Sequence, residues 1–91
     1  MPSGRVSADP QEMRRFANSL KEFNSLLSES IGKLNGQFRS LGETWRDPAY
    51  AKFAQEFEST LNELRRFEKV ASEVIPNLQR TADRIDEVHR Q

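Results

Sequence analysis

No cysteine occurs anywhere in the 91 residues. That excludes a disulfide, a thiolate nucleophile and a sulfur ligand for zinc, and the composition suits a reducing or an oxidising compartment alike. Net charge is missing too: 14 Lys and Arg balance 14 Asp and Glu. No long-range field therefore draws in nucleic acid or an anionic membrane, and neither is expected as a partner. Long apolar runs are absent. Nothing approaches the roughly 20 residues of a membrane span, and MPSGRVSADPQE has no stretch suited to a cleaved leader. The sequence points to the cytoplasm, or to secretion without a cleaved signal peptide.

Chemistry is equally scarce. His89 is the sole histidine, and Asp86 and Glu87 beside it read as solvated side chains rather than metal ligands. Glu56 with Glu63, or Asp83 with Glu87, could share helix faces, but Lys52, Arg65, Arg66, Arg80 and Arg84 stand within a turn or so. Surface ion pairs, each under about 1 kcal/mol, account for that pattern. Arg14-Arg15 and Arg65-Arg66 are interspersed with acids and read as solvated faces, not as a phosphate site. No glycine-rich phosphate loop follows a strand, and no strand is evident. The chain is not read as an enzyme, and no catalytic residue, metal or cofactor is expected.

What is present is helical periodicity. Asp9 can cap a helix, Pro10 suits its first position, and Glu12 stands three residues on, as in a capping box. Residues 1–8 read as a loose tail and residues 9–42 as the first helix. Its stripe comprises Met13, Phe16, Leu20, Phe23, Leu27, Ile31, Leu34, Phe38, Leu41 and Trp45, with one four-four stutter at Ile31. Gly32 and Gly36 lie beside it, where close approach of another helix would offset their poor propensity. Gly42 fits a left-handed C-cap.

Residues 43–47 form the turn, and Asp47-Pro48 repeats the device of Asp9-Pro10 to start a second helix over 48–90. The second stripe runs Tyr50, Phe53, Phe57, Thr60, Leu64, Phe67, Ala71, Val74, Leu78, Thr81, Ile85 and Val88 without a break. Leu61, Val70, Ile75 and Ala82 widen it into a bundle face. Pro76 removes a backbone hydrogen bond, so a kink is expected near it. Folding back near residues 44 and 45 sets Pro76 opposite Met13, which leaves Leu78, Ile85 and Val88 to a second chain or to the tail around Val6.

With 35% hydrophobic residues and a mean hydropathy of −0.81, one such hairpin is too poor to close a core alone. The reading is all-α: an antiparallel helical hairpin that dimerises into a four-helix bundle, with itself or with a similar hairpin. The bundle core is expected to comprise Phe16, Leu20, Phe23, Leu27, Leu34, Phe38, Phe53, Phe57, Leu64, Phe67, Val74 and Leu78.

The length, the two similar arms and a tryptophan in the mid-chain turn resemble the WXG100, or ESAT-6-like, family. There a Trp-X-Gly turn joins two helices, hairpins pair into four-helix bundles, and many members leave the cell by type VII secretion. Trp45 matches the tryptophan and Arg46 the variable position, while Asp47 stands in place of the glycine and Pro48 follows. The resemblance implies a non-enzymatic interaction protein, a substrate or accessory of a type VII-like system, with a secretion ATPase as a further partner. Trp45 would then plug the end of the bundle or present itself to that partner. The family's Tyr-X-X-X-acid signal has no match near the end of the second helix, since the one tyrosine is Tyr50. An intracellular scaffold, adaptor or chaperone-like dimer is the alternative.

Overall fold

A computed structural model describes residues 8–90; the tail around Val6 lies outside them. Asp9 keeps an extended backbone and its Oδ1 accepts from the Gln11 amide at 2.9 Å, which starts helix α1 (Pro10–Gly42) with the proline at its first position. Glu12 does not complete the capping box. Its carboxylate turns forward to Arg15 instead, one turn along the exposed surface.

The bend follows at once. The Leu41 carbonyl accepts from the amides of Thr44 (3.1 Å) and Trp45 (2.8 Å), so the last turn is tied down while Glu43 remains right-handed at φ −71°. Asp47 Oδ1 then takes the Ala49 amide at 2.9 Å and opens helix α2 (Pro48–Arg90), which continues through Pro76. At about 1.5 Å per residue its 43 residues cover nearly the whole 67 Å length of the molecule.

Gly42 is not a left-handed cap: among the described residues no glycine has positive φ. Its small size answers a different need. A Cβ there would run into the Tyr50 hydroxyl and lie 2.8 Å from Cζ. Gly32 and Gly36, by contrast, are exposed and would place a Cβ in open space. They lie off the apolar face, so the close helix approach expected of them is not made within the hairpin. Replacing both with alanine is expected to stabilise the chain by up to about 1 kcal/mol per site, seen as a higher urea midpoint.

The two helices meet along one seam. On the first arm it is built from every seventh residue, Ala17, Asn24, Ile31 and Phe38 of α1 and then Trp45 of the bend, all buried or half-buried, flanked by the half-buried Met13, Leu20 and Leu27. This is an unbroken heptad, so the stutter expected at Ile31 does not exist. It arose from counting Phe16 and Phe23 into the seam and passing over Ala17 and Asn24. From α2 the seam takes Leu61, Ala71 and Ala82, which are buried, with Phe57, Leu64, Val74, Ile75, Leu78 and Ile85 half-buried. Ile31 and Leu61 each contribute roughly 1.5–3 kcal/mol by burial. Alanines at the other fully covered positions let the helix axes approach.

Phe38 meets Phe53 (ring centroids 5.6 Å) and Phe23 meets Phe67 (6.0 Å). Continuing that register sets Pro76 level with the turn from Arg14 to Phe16 and Ala82 level with Asp9. The first arm thus reaches past Pro76. Ala82 is fully covered, Leu78 and Ile85 are half-buried, and only Val88 of the residues expected to lie uncovered stands bare, 66% exposed.

Candidate functional site: an apolar pairing face

Beside the seam, on one side of the hairpin, lies a row of large side chains that the hairpin leaves uncovered. Phe16 and Phe23 stand seven residues apart on α1, as do Leu34 and Leu41, and Phe53, Phe67 and Val88 recur at multiples of seven on α2. Seven residues make two turns, so each set shares a face. Leu26 and Val70 extend that face at its two edges. These nine residues are between 45% and 66% exposed. Each leaves on the order of 80–100 Å² bare, which amounts to roughly 800 Å². A monomer rarely shows a single apolar patch beyond a few hundred Å². A standard protein interface takes about that roughly 800 Å² from each partner.

The twelve residues expected in a bundle core divide in two. Phe16, Phe23, Leu34, Phe53 and Phe67 are exposed on this face, whereas Leu20, Leu27, Phe38, Phe57, Leu64, Val74 and Leu78 are half-buried in or beside the seam. Sequence reasoning passed over Leu26, which lies off the regular spacing, and Ala17, whose small side chain does not register as a stripe. The Met13, Ala17, Leu20 spacing carried that second signal.

At the tip the aromatic residues condense into one cluster. Phe38 lies 4.5 Å from Phe57 and stacks on Tyr50 at 5.0 Å with 14° between planes; Trp45 meets Tyr50 edge to face at 5.3 Å and 75°. Trp45 is half-buried at the end of the seam. Arg46, Asp47 and Pro48 of the turn are exposed, and the Arg46 guanidinium donates to the Glu43 carbonyl at 3.3 Å.

Two polar devices fix the arms relative to each other. Asn24, at a seam position, donates from Nδ2 to the Glu68 carbonyl at 2.9 Å, while its Oδ1 is buried with no donor among the described residues. An asparagine there sets register at a cost in stability, because a shift would leave both of its polar atoms unmatched. At the open end Arg14 bridges Asp83 at 2.8 Å and Asp86 at 2.7 Å. The hydrogen bonds to Asp83 and then Asp86 raise the Arg14 pKa above the usual guanidinium value. The sequence reading took Arg14 for a solvated side chain; its partners lie 69 and more residues away and leave no local trace. Among the described residues no group of three or more potential metal ligands comes together, and His89 stands exposed near the end of α2.

The chain is a two-helix hairpin with one bare apolar face and one polar face. No described helix is long and apolar enough to cross a membrane. The model of WXG100, proteins of 100 residues with WXG, matches residues 5–89, and the chain belongs to that family. Solved structures of the secreted protein EsxB from Bacillus anthracis str. Sterne share the fold. One point mutant superposes with a TM-score of 0.75 at 24% identity, covering 93% of this chain and 96% of that one. A second mutant gives 0.73 at 22% identity over 96% and 97%. The wild-type form gives 0.71 at 24% over 90% and 94%. No curated protein sequence matches the chain.

Proposed function

We propose that this protein is a non-enzymatic WXG100 hairpin that works by pairing its apolar face with another hairpin, and that it serves as a substrate or accessory of a type VII-like secretion system. The observation that carries the pairing is the row of nine half-bare apolar side chains on one face. Leaving that row in water is unfavourable, and a second hairpin covers it in a closed, self-limiting way. The secretory role draws on family membership and on the likeness to a protein described as secreted. A secretion ATPase would meet the molecule at the tip, where Trp45 is only half-buried.

Two measurements test this. Sedimentation equilibrium at micromolar concentration is expected to give twice the chain mass; a cooperatively folded single chain would overturn the pairing. Fractionation of the native host with its secretion machinery active is expected to find the protein outside the cell. A second reading, an intracellular scaffold or adaptor, is favoured by one observation: Tyr50, the only tyrosine, is packed on Phe38 beside the bend and so cannot begin an export signal at the far end of α2. Retention in the cytosol together with a co-purifying client would select that reading.

A further inference from the structure

The side of the hairpin away from the apolar row carries a cavity of about 390 Å³ near the tip. Helix geometry separates the two. At about 100° per residue, Leu34 and Leu41 lie to one side of Phe38 on α1, and Asn35 and Arg39 to the other. On α2, Phe53 and Phe67 lie to one side of Phe57, and Ala54, Glu58 and Arg65 to the other. A cover over the apolar row therefore leaves this cavity open.

The floor of the cavity is aromatic. Phe38, Tyr50 and Phe57 line it, and their rings already hold one another through the 5.0 Å stack and the 4.5 Å contact at Phe38. An occupant finds a flat apolar surface that needs no rearrangement. The rim is charged: Arg39 comes from α1 and Arg65 from α2, and neither has an ion-pair partner among the described residues. Glu58 also lines the cavity, and it too is unpaired there. Two cations against one anion favour a negative occupant, and a planar guanidinium takes a carboxylate through two parallel hydrogen bonds.

Two features select a peptide over a small acid. Asn35 and Asn62 stand on the wall, and neither makes a side-chain hydrogen bond among the described residues. A carboxamide donates and accepts at once, which matches the alternating groups of a peptide main chain. The second feature is a groove of about 420 Å³ on the same side, nearer the open end, lined by Lys21, Ser25, Ser28, Ser72 and Gln79 among others. Asn35 and Ser25 lie about 15 Å apart along α1, a span that about five extended residues bridge. Lys21 has no ion-pair partner among the described residues.

We propose that the tip cavity binds an acidic peptide segment, which lays an apolar side chain on the Phe38, Tyr50 and Phe57 rings, sets a carboxylate against Arg39 and Arg65, and runs along the seam toward Lys21. The site is a second interaction surface, separate from the apolar row. Its partner is recognised by charge and main chain, with one apolar anchor.

The probe is the hexapeptide acetyl-Glu-Phe-Ser-Thr-Gly-Glu-amide, titrated into the full chain at low salt while Trp45 emission is followed. Trp45 meets Tyr50 edge to face and so reports on the floor. A saturable change is expected, weakening as salt is raised. Arg39→Gln and Arg65→Gln are each expected to weaken binding on the order of tenfold. Glu58→Gln is expected to tighten it, and Lys21→Gln to weaken it, each on the order of threefold, as exposed charges do. All four side chains are exposed, so helical circular dichroism and sedimentation are expected to match the parent chain. The same peptide with glutamine for both glutamates is expected not to saturate. Absence of a saturable change, equal binding of the glutamine peptide, or arginine variants that bind like the parent each overturn the site. An unaltered Lys21→Gln overturns the course along the seam. Benzoate binding as tightly as the hexapeptide overturns the peptide and marks a site for small aromatic acids.

Discussion

Phe57→Asp is expected to abolish the helical circular dichroism of the chain and to leave an unfolded single chain in sedimentation velocity. The Phe57 ring lies 4.5 Å from Phe38 and 5.7 Å from Phe53, at the foot of the aromatic cluster, and is half-buried even in one hairpin. Loss of a packed phenylalanine costs roughly 3–5 kcal/mol, and a carboxylate in its place adds the cost of desolvating a charge. Few small domains hold more than about 5–15 kcal/mol in total. Among the described residues of this one, Ala17, Ile31, Leu61, Ala71 and Ala82 alone are fully buried within a single chain. Folding and association should therefore fail together. A Phe57→Asp chain that stays helical as a monomer would contradict the coupling.

The second large effect is expected at the bend. Gly42→Val places branched carbon where the Tyr50 ring already lies, against its hydroxyl and 2.8 Å from Cζ at the first added atom. Tyr50 cannot yield without leaving Phe38, on which it stacks, and Trp45, whose edge it meets. Overpacking of this kind costs about 1–3 kcal/mol. Removing a glycine from the helix end returns under about 1 kcal/mol. A lower urea midpoint and a red-shifted Trp45 emission are expected together. An unchanged midpoint would mean that the ring moves aside freely.

Most of the architecture could be read from residues that act locally. Asp9-Pro10 and Asp47-Pro48 announce helix starts because a cap and a preset φ are chemistry of adjacent residues, and the structure contains both caps. The regular spacing of Phe, Leu and Val announces two amphipathic helices for the same reason. What could not be read depends on contacts between distant parts. Asn24 looks like a solvated residue until Glu68 is placed beside it, and Arg14 until Asp83 and Asp86 are. Ala17 looks unremarkable in a stripe of large residues, yet small size is what a close seam selects. Gly42 was legible as a special position but not for its reason, because the reason is the Tyr50 ring rather than the backbone. Of the bare apolar face, the residues were legible as a stripe. Its division from the seam was not, because both stripes share one period and only burial separates them.

The bend has a practical consequence. Its shape is held by two amide contacts to the Leu41 carbonyl and by the Asp47 cap, with no left-handed residue among those described. Thr44 and Arg46 face outward there. A foreign peptide spliced between Arg46 and Asp47 would leave the Asp47 cap and the Leu41 contacts in place, so the molecule offers itself as a slender carrier for displayed epitopes.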